Sequence, residues 1–221
     1  MPNEQICLKP TLLDCFCGMG GVSDGFALEG FDVIGIDIVD APKMLGYKHR
    51  FIQADMLTLK GEDFRGYDVI WGSPPCRDFS VVGDVFGHTW KRPPDPKGKG
   101  IELVNVFLKF IQDANPTFWI MENVPRLQQF YEKAKVETHL GDKHMKRCFW
   151  GNFPAFLIPK DANKIIYHHF YPSKSGKRKK ISYVGDGLGK SKAWITAKIP
   201  LACSRAFAKA CKEALQKEVE S

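Results

Sequence analysis

Short apolar runs alternate with helical patterns through the first half of this chain, and each run closes beside a polar or glycine-rich turn. That alternation is the mark of βαβ units and a parallel sheet. Strands are predicted over Thr11 to Phe16, Asp32 to Asp37, Arg50 to Ala54, Tyr67 to Trp71 and Thr117 to Met121. A helix is expected from Val22 to Glu29, with Gly30 as its C-cap. Apolar residues at 101, 104, 107, 108 and 111 predict a second amphipathic helix over Ile101 to Gln112. A third, Ile199 to Leu215, carries Ile199, Ala202, Cys203, Ala206, Phe207, Ala210 and Leu215 on one face. The fold class is therefore α/β, a doubly wound and mostly parallel sheet with a small insertion. Such sheets bind ligands in the crevice at the carboxyl ends of their strands.

At 221 residues the chain is long enough for one α/β core with a modest insertion. No apolar stretch approaches the ~20 residues of a membrane helix. Met1-Pro2-Asn3-Glu4-Gln5 lacks the basic region and apolar block of a secretory signal, so a cytoplasmic setting is expected, or a nuclear one in a eukaryote. The seven cysteines show no paired C-x-x-C spacing, so most are expected to be buried thiols and no metal site is expected. A net charge of +7 favours a polyanionic partner. Lys91, Arg92, Lys97 and Lys99 form one basic cluster; Lys174, Lys177, Arg178, Lys179 and Lys180 form another.

The segment Cys17-Gly18-Met19-Gly20-Gly21 follows the first strand and precedes a helix, where backbone amides can approach a ligand closely. Asp37 falls 19 positions after Gly18, close to the spacing of a ribose-binding acid. Ser23 stands where a dinucleotide fingerprint has its third glycine, so the pattern points to a nucleoside-bearing cofactor without being that fingerprint. Asp55 closes the third strand and is placed either to accept from an adenine amino group or to cap a helix before Met56. Cys76 follows Pro74 and Pro75, whose rings restrict the backbone and hold the thiol in place. Glu122 ends the neighbouring strand among Trp119, Met121 and Val124, where desolvation favours its neutral form. A soft nucleophile beside a carboxylic acid results.

Asp14-Cys15-Phe16-Cys17-Gly18-Met19-Gly20-Gly21, Gly72-Ser73-Pro74-Pro75-Cys76-Arg77-Asp78-Phe79-Ser80 and Met121-Glu122-Asn123-Val124 resemble, in order, the cofactor, nucleophile and Glu-Asn-Val motifs of the DNA (cytosine-5) methyltransferases. Lys198-Ile199-Pro200-Leu201 is similar to that family's last motif, which completes the cofactor pocket. The resemblance implies a Rossmann-like fold and methyl transfer from S-adenosyl-L-methionine to carbon 5 of a flipped-out cytosine in double-stranded DNA. Cys76 is the implied nucleophile, Glu122 the proton holder at ring nitrogen 3, and Arg147 the contact to the base's carbonyl, or else to a surface phosphate. Phe16, Gly18, Gly20 and Gly21 are implied at the methionine end, Asp37 and Ile38 at the ribose, Asp55 and Met56 at the adenine, and Pro75 on the border. Arg77, Ser80, Lys91, Arg92, Lys177, Arg178, Lys179 and Lys180 are implied on DNA.

The implied organisation is a catalytic domain over residues 1–126, a small recognition region over 127–192 and a returning C-terminal helix over 193–221. The Asn-Val form of the last motif is missing, and the recognition region is short. A short or weakly specific target, a helper protein or a companion restriction nuclease is therefore expected around a monomeric enzyme. Three rivals share parts of the pattern: an RNA (transfer RNA) cytosine-5 methyltransferase, a catalytically silent DNA-binding subunit, and a nicotinamide-dependent oxidoreductase.

Overall fold

The computed structural model describes residues 9–80, 94–140, 146–156 and 198–220. Strands β1 (Thr11–Cys15), β2 (Asp32–Asp37), β3 (Arg50–Gln53), β4 (Val69–Gly72), β5 (Phe118–Asn123), β6 (Val136–His139) and β7 (Lys146–Asn152) form one sheet in the order β3-β2-β1-β4-β5-β7-β6. Strands β1 to β5 run parallel, and β7 lies antiparallel between β5 and β6. The strand order reverses between β1 and β4, which opens the ligand crevice of a doubly wound sheet at that point.

Alternate residues of each strand enter opposite cores, as the period of two requires. Leu12, Val69, Trp71 and Ile120 join one core with Phe26, Phe149 and Phe207. Leu13, Ile70 and Met121 join the other with Phe107, Phe110 and Trp150. Burial on both faces explains why the parallel strands read as continuous apolar runs. Helices α1 (Gly21–Leu28) and α4 (Leu201–Glu220) cover the first core, and α3 (Ile101–Ala114) covers the second. A short helix α2 (Ala41–Leu45) follows β2. Among the described residues no helix is long and apolar enough to cross a membrane.

Helix α4 docks on α1 because glycine leaves room for it. A Cβ on Gly25 would overlap the Ser204 side chain and lie 2.8 Å from the Arg205 nitrogen. Ser204 Oγ uses that proximity to donate to the Gly21 carbonyl at 2.9 Å.

Three sequence expectations change. The sheet does not end near residue 126: β6 and β7 extend it to Asn152, so the catalytic fold takes in residues assigned to a recognition region. Cys148 and Trp150 enter one core and Phe149 the other, a two-sided burial that the flanking basic residues hide in the sequence. The fifth strand runs on through Glu122 and Asn123. Ile199 precedes α4, and of the expected face Cys203 and Phe207 are buried and Ala202 and Leu215 pack against the same core, whereas Ala206 and Ala210 give way to Ser204, Ala208 and Cys211. Most of the expected recognition region, residues 157–192, lies outside the described residues.

Candidate active site

The carboxyl ends of β1, β2, β4 and β5 meet around one cavity of about 470 Å³. Its volume is that of a small-molecule site. The turn after β1 holds Phe16 at φ 60°, Gly18 at 48° and Gly20 at 72°. Phe16 is the costly member, because a side chain rarely adopts the left-handed region. Gly21 is tight for another reason: a Cβ there would lie 2.5 Å from the Ile199 carbonyl oxygen.

Phe16, Gly18, Gly21, Asp37, Ile38, Asp55, Met56, Pro75, Cys76, Glu122 and Arg147 all line this cavity. Gly20 does not; it caps α1 and packs against the Tyr47 ring. Asp37 accepts hydrogen bonds from the backbone N–H of Gly18 at 3.0 Å and of Val39 at 3.1 Å, which fixes the glycine turn against the end of β2. Burial raises its carboxyl above the ordinary value, and those N–H donors oppose the rise. Asp55 Oδ1 accepts from the Leu57 N–H at 3.0 Å, so it caps the turn Met56–Thr58 and also faces the cavity. Ile38 stands exposed at the mouth, whereas Met56 is buried.

Cys76 opens a short helical turn, Cys76–Phe79, directly after Pro75. Burial pushes its thiol above the ordinary value; the Arg147 charge pulls it down and the Glu122 charge adds to the rise. Glu122 lies 8% exposed on β5, with its Oε1 2.8 Å from Arg147 Nε. Desolvation raises the Glu122 carboxyl, opposed by Arg147 and by a hydrogen bond to the Ser73 side chain. Ser73 Oγ also accepts from Trp71 Nε1 at 3.0 Å. Asn123 Nδ2 donates to the Pro74 carbonyl at 2.9 Å, tying β5 to the Pro-Pro-Cys segment. One set of buried contacts thus holds Glu122 and the Pro74-Pro75 segment that leads into Cys76.

Sequence reasoning passed over Asp14, Ser73 and Tyr47 as site residues. Asp14 Oδ2 accepts from Ser23 Oγ at 2.6 Å and from the Ser23 N–H at 3.2 Å, and Ser23 Oγ is 2.8 Å from the Tyr47 hydroxyl. Burial raises the Asp14 carboxyl to about 7. The signal was Ser23 itself, a polar residue where a glycine was expected. Arg77 and Ser80 are half-buried and do not line the cavity. Lys91, Arg92, Lys177, Arg178, Lys179 and Lys180 lie outside the described residues. Among the described residues no group of three or more His, Cys, Asp or Glu could hold a metal ion.

The family model for C-5 cytosine-specific DNA methylases matches residues 11–145. The type II methyltransferase M1.HphI of Haemophilus parahaemolyticus is 33% identical over 177 residues, covering 73% of this chain and 46% of that protein. M.FnuDI of Fusobacterium nucleatum is 32% identical over 117 residues, 51% of this chain and 32% of that protein. M.XorII of Xanthomonas oryzae pv. oryzae is 26% identical over 208 residues, 82% of this chain and 46% of that protein. The chain spans less than half the length of each of these relatives. With the match running from the first strand of the sheet past Cys76 and Glu122, the chain belongs to the C-5 cytosine-specific DNA methylase family.

Proposed function

We propose that the chain transfers a methyl group from S-adenosyl-L-methionine to carbon 5 of cytosine in double-stranded DNA. The observation that carries this is the sharing of one cavity by Cys76, Glu122 and Arg147 with the glycine turn and Asp37. The donor set fits the cofactor: Asp37 toward ribose hydroxyls, Asp55 toward an adenine amino group, Ile38 and Met56 as apolar walls, and Phe16, Gly18 and Gly21 toward the methionine end. Gly20 supports that end from behind as the cap of α1. When bound, S-adenosyl-L-methionine supplies an electrophilic methyl group.

Carbon 5 of cytosine is too electron-poor to attack such a methyl unaided. The Cys76 thiolate adds to carbon 6, forming an S–C bond and moving electron density onto the ring. Glu122, whose carboxyl desolvation raises above its ordinary value, would hold a proton at ring nitrogen 3 and stabilise that density. Arg147 orients Glu122 through their 2.8 Å contact and reaches the base's carbonyl. After transfer a base such as water takes the carbon 5 proton; the C–H electron pair re-forms the C5–C6 double bond as the C6–S bond breaks and the Cys76 thiolate leaves. The target base must leave the duplex to reach this cavity. Arg77, Ser80, Lys91, Arg92, Lys177, Arg178, Lys179 and Lys180 would contact the DNA, the last four through its phosphates.

The experiment is incubation of purified protein with duplex DNA and labelled S-adenosyl-L-methionine, beside trapping on DNA containing 5-fluorocytosine. Methyl label on cytosine carbon 5 and a covalent adduct, both abolished in Cys76→Ala, are expected. Label on cytosine from the Cys76→Ala protein would overturn the mechanism.

A further inference from the structure

Lys198 lines the same cavity from the segment that leads into α4. Its stem lies against the first residue of α1, since a Cβ on Gly21 would come within 2.7 Å of Lys198 Cγ. Its Nζ donates to Asp24 Oδ2 at 2.9 Å, while Asp24 Oδ1 is 3.0 Å from His49 Nε2. Burial works against the charge on Asp24, but the hydrogen bonds from Lys198 and His49 outweigh it and hold the carboxyl below its ordinary value. Asp24 therefore stays ionised and holds the ammonium beside the glycine turn.

The charged side chains on the cavity wall are Asp14, Asp37, Asp55 and Glu122 against Arg147 and Lys198. S-adenosyl-L-methionine carries a sulfonium, an ammonium and one carboxylate. Acidic walls suit the two cationic centres; the carboxylate needs a cation. Arg147 is committed to Glu122 at the base end. Lys198 stands at the glycine turn, where the amino-acid tail would lie. We propose that Lys198 binds the carboxylate of the cofactor's methionyl tail, with Asp24 as the residue that positions its ammonium. This rests on the cofactor reading of the cavity and names a cationic contact to the tail among the described residues. It also gives Gly21 a reason beyond packing, since any larger residue there would displace the Lys198 stem.

The test is calorimetric binding of two stable probes to the wild-type chain and to Lys198→Met. One probe is S-adenosylhomocysteine; the other is its decarboxylated analogue, which keeps the amine and lacks only the carboxylate. Lys198→Met should weaken the first by about ten-fold or more, the scale of a lost charge-assisted hydrogen bond, and leave the second within about two-fold. Lys198→Arg should restore most of the first affinity. Retained binding of the decarboxylated probe shows that the variant is folded. Lys198→Gln serves if the methionine variant is not, and the ratio of the two affinities is the readout in either. Equal losses on both probes, or no loss on either, would overturn the Lys198 assignment and leave the cofactor reading standing. A wild-type chain that binds neither probe would overturn both.

Discussion

Cys76 is a poor thiolate in the resting site, because burial and the Glu122 charge both raise its pKa and only Arg147 among its near charges opposes them. Adduct formation with 5-fluorocytosine DNA should therefore rise with pH, its rising limb displaced above the ordinary thiol range. Arg147→Met removes the lowering charge, so the rising limb should move to higher pH. A rising limb unchanged in Arg147→Met would show that the guanidinium does not act on the thiol. Ser73→Ala removes a hydrogen bond that favours ionised Glu122, so that carboxyl should titrate at higher pH than in the wild-type chain, read from its infrared band; an unmoved band would show that Ser73 does not act on it. The variant's expected effect on the rate at neutral pH is small, within about ten-fold, because Arg147 still holds the carboxyl.

Asp14 carries a separate consequence for stability. Its carboxyl is near 3.8 in the unfolded chain and about 7 when folded, so between these values the folded state binds the extra proton. Stability should therefore be fully present below about pH 4 and decline as pH rises toward 7, by at most about 4 kcal/mol. Asp14→Asn should flatten that slope, measured as urea midpoints at acid and neutral pH. A variant with the wild-type slope would assign the decline elsewhere.

At the scale of elements, the interface of α1 and α4 depends on the missing Cβ of Gly25. Gly25→Ala should destabilise by about 1–3 kcal/mol through overpacking, despite the better helix propensity of alanine. Thermal unfolding checks this; a higher midpoint would mean that α4 can shift without loss. The parallel strands β1, β2 and β4 were legible because each carries a short apolar run closed by a turn signal. The antiparallel pair β6 and β7 was not, since Lys146 and Arg147 open a strand whose burial starts at Cys148. Helix α4 was found, but it starts at Leu201, and its expected face left out the buried Ser204, Ala208 and Cys211.

For the whole molecule, the basic clusters make a prediction about salt. If Lys177, Arg178, Lys179 and Lys180 hold phosphates, their replacement by alanine should lower the slope of log affinity against log salt by about one for each phosphate left without its cation. Binding should weaken alike on all sequences. A changed sequence preference would instead put these residues on base edges.

The sequence alone determined the α/β class and the order of the first strands, and it marked Cys76, Glu122 and the glycine turn that the structure brings to one cavity, because these signals are local: a turn, a restrained thiol and an apolar run are written in neighbouring residues. Only the tertiary structure decided that Arg147 pairs with Glu122, that Ser73 reaches the same carboxyl, and that Lys198 returns from the far end of the chain to the first turn. Those pairings join residues tens to well over a hundred positions apart, and which of many charges meets which is set by sheet order and helix docking rather than by any local preference.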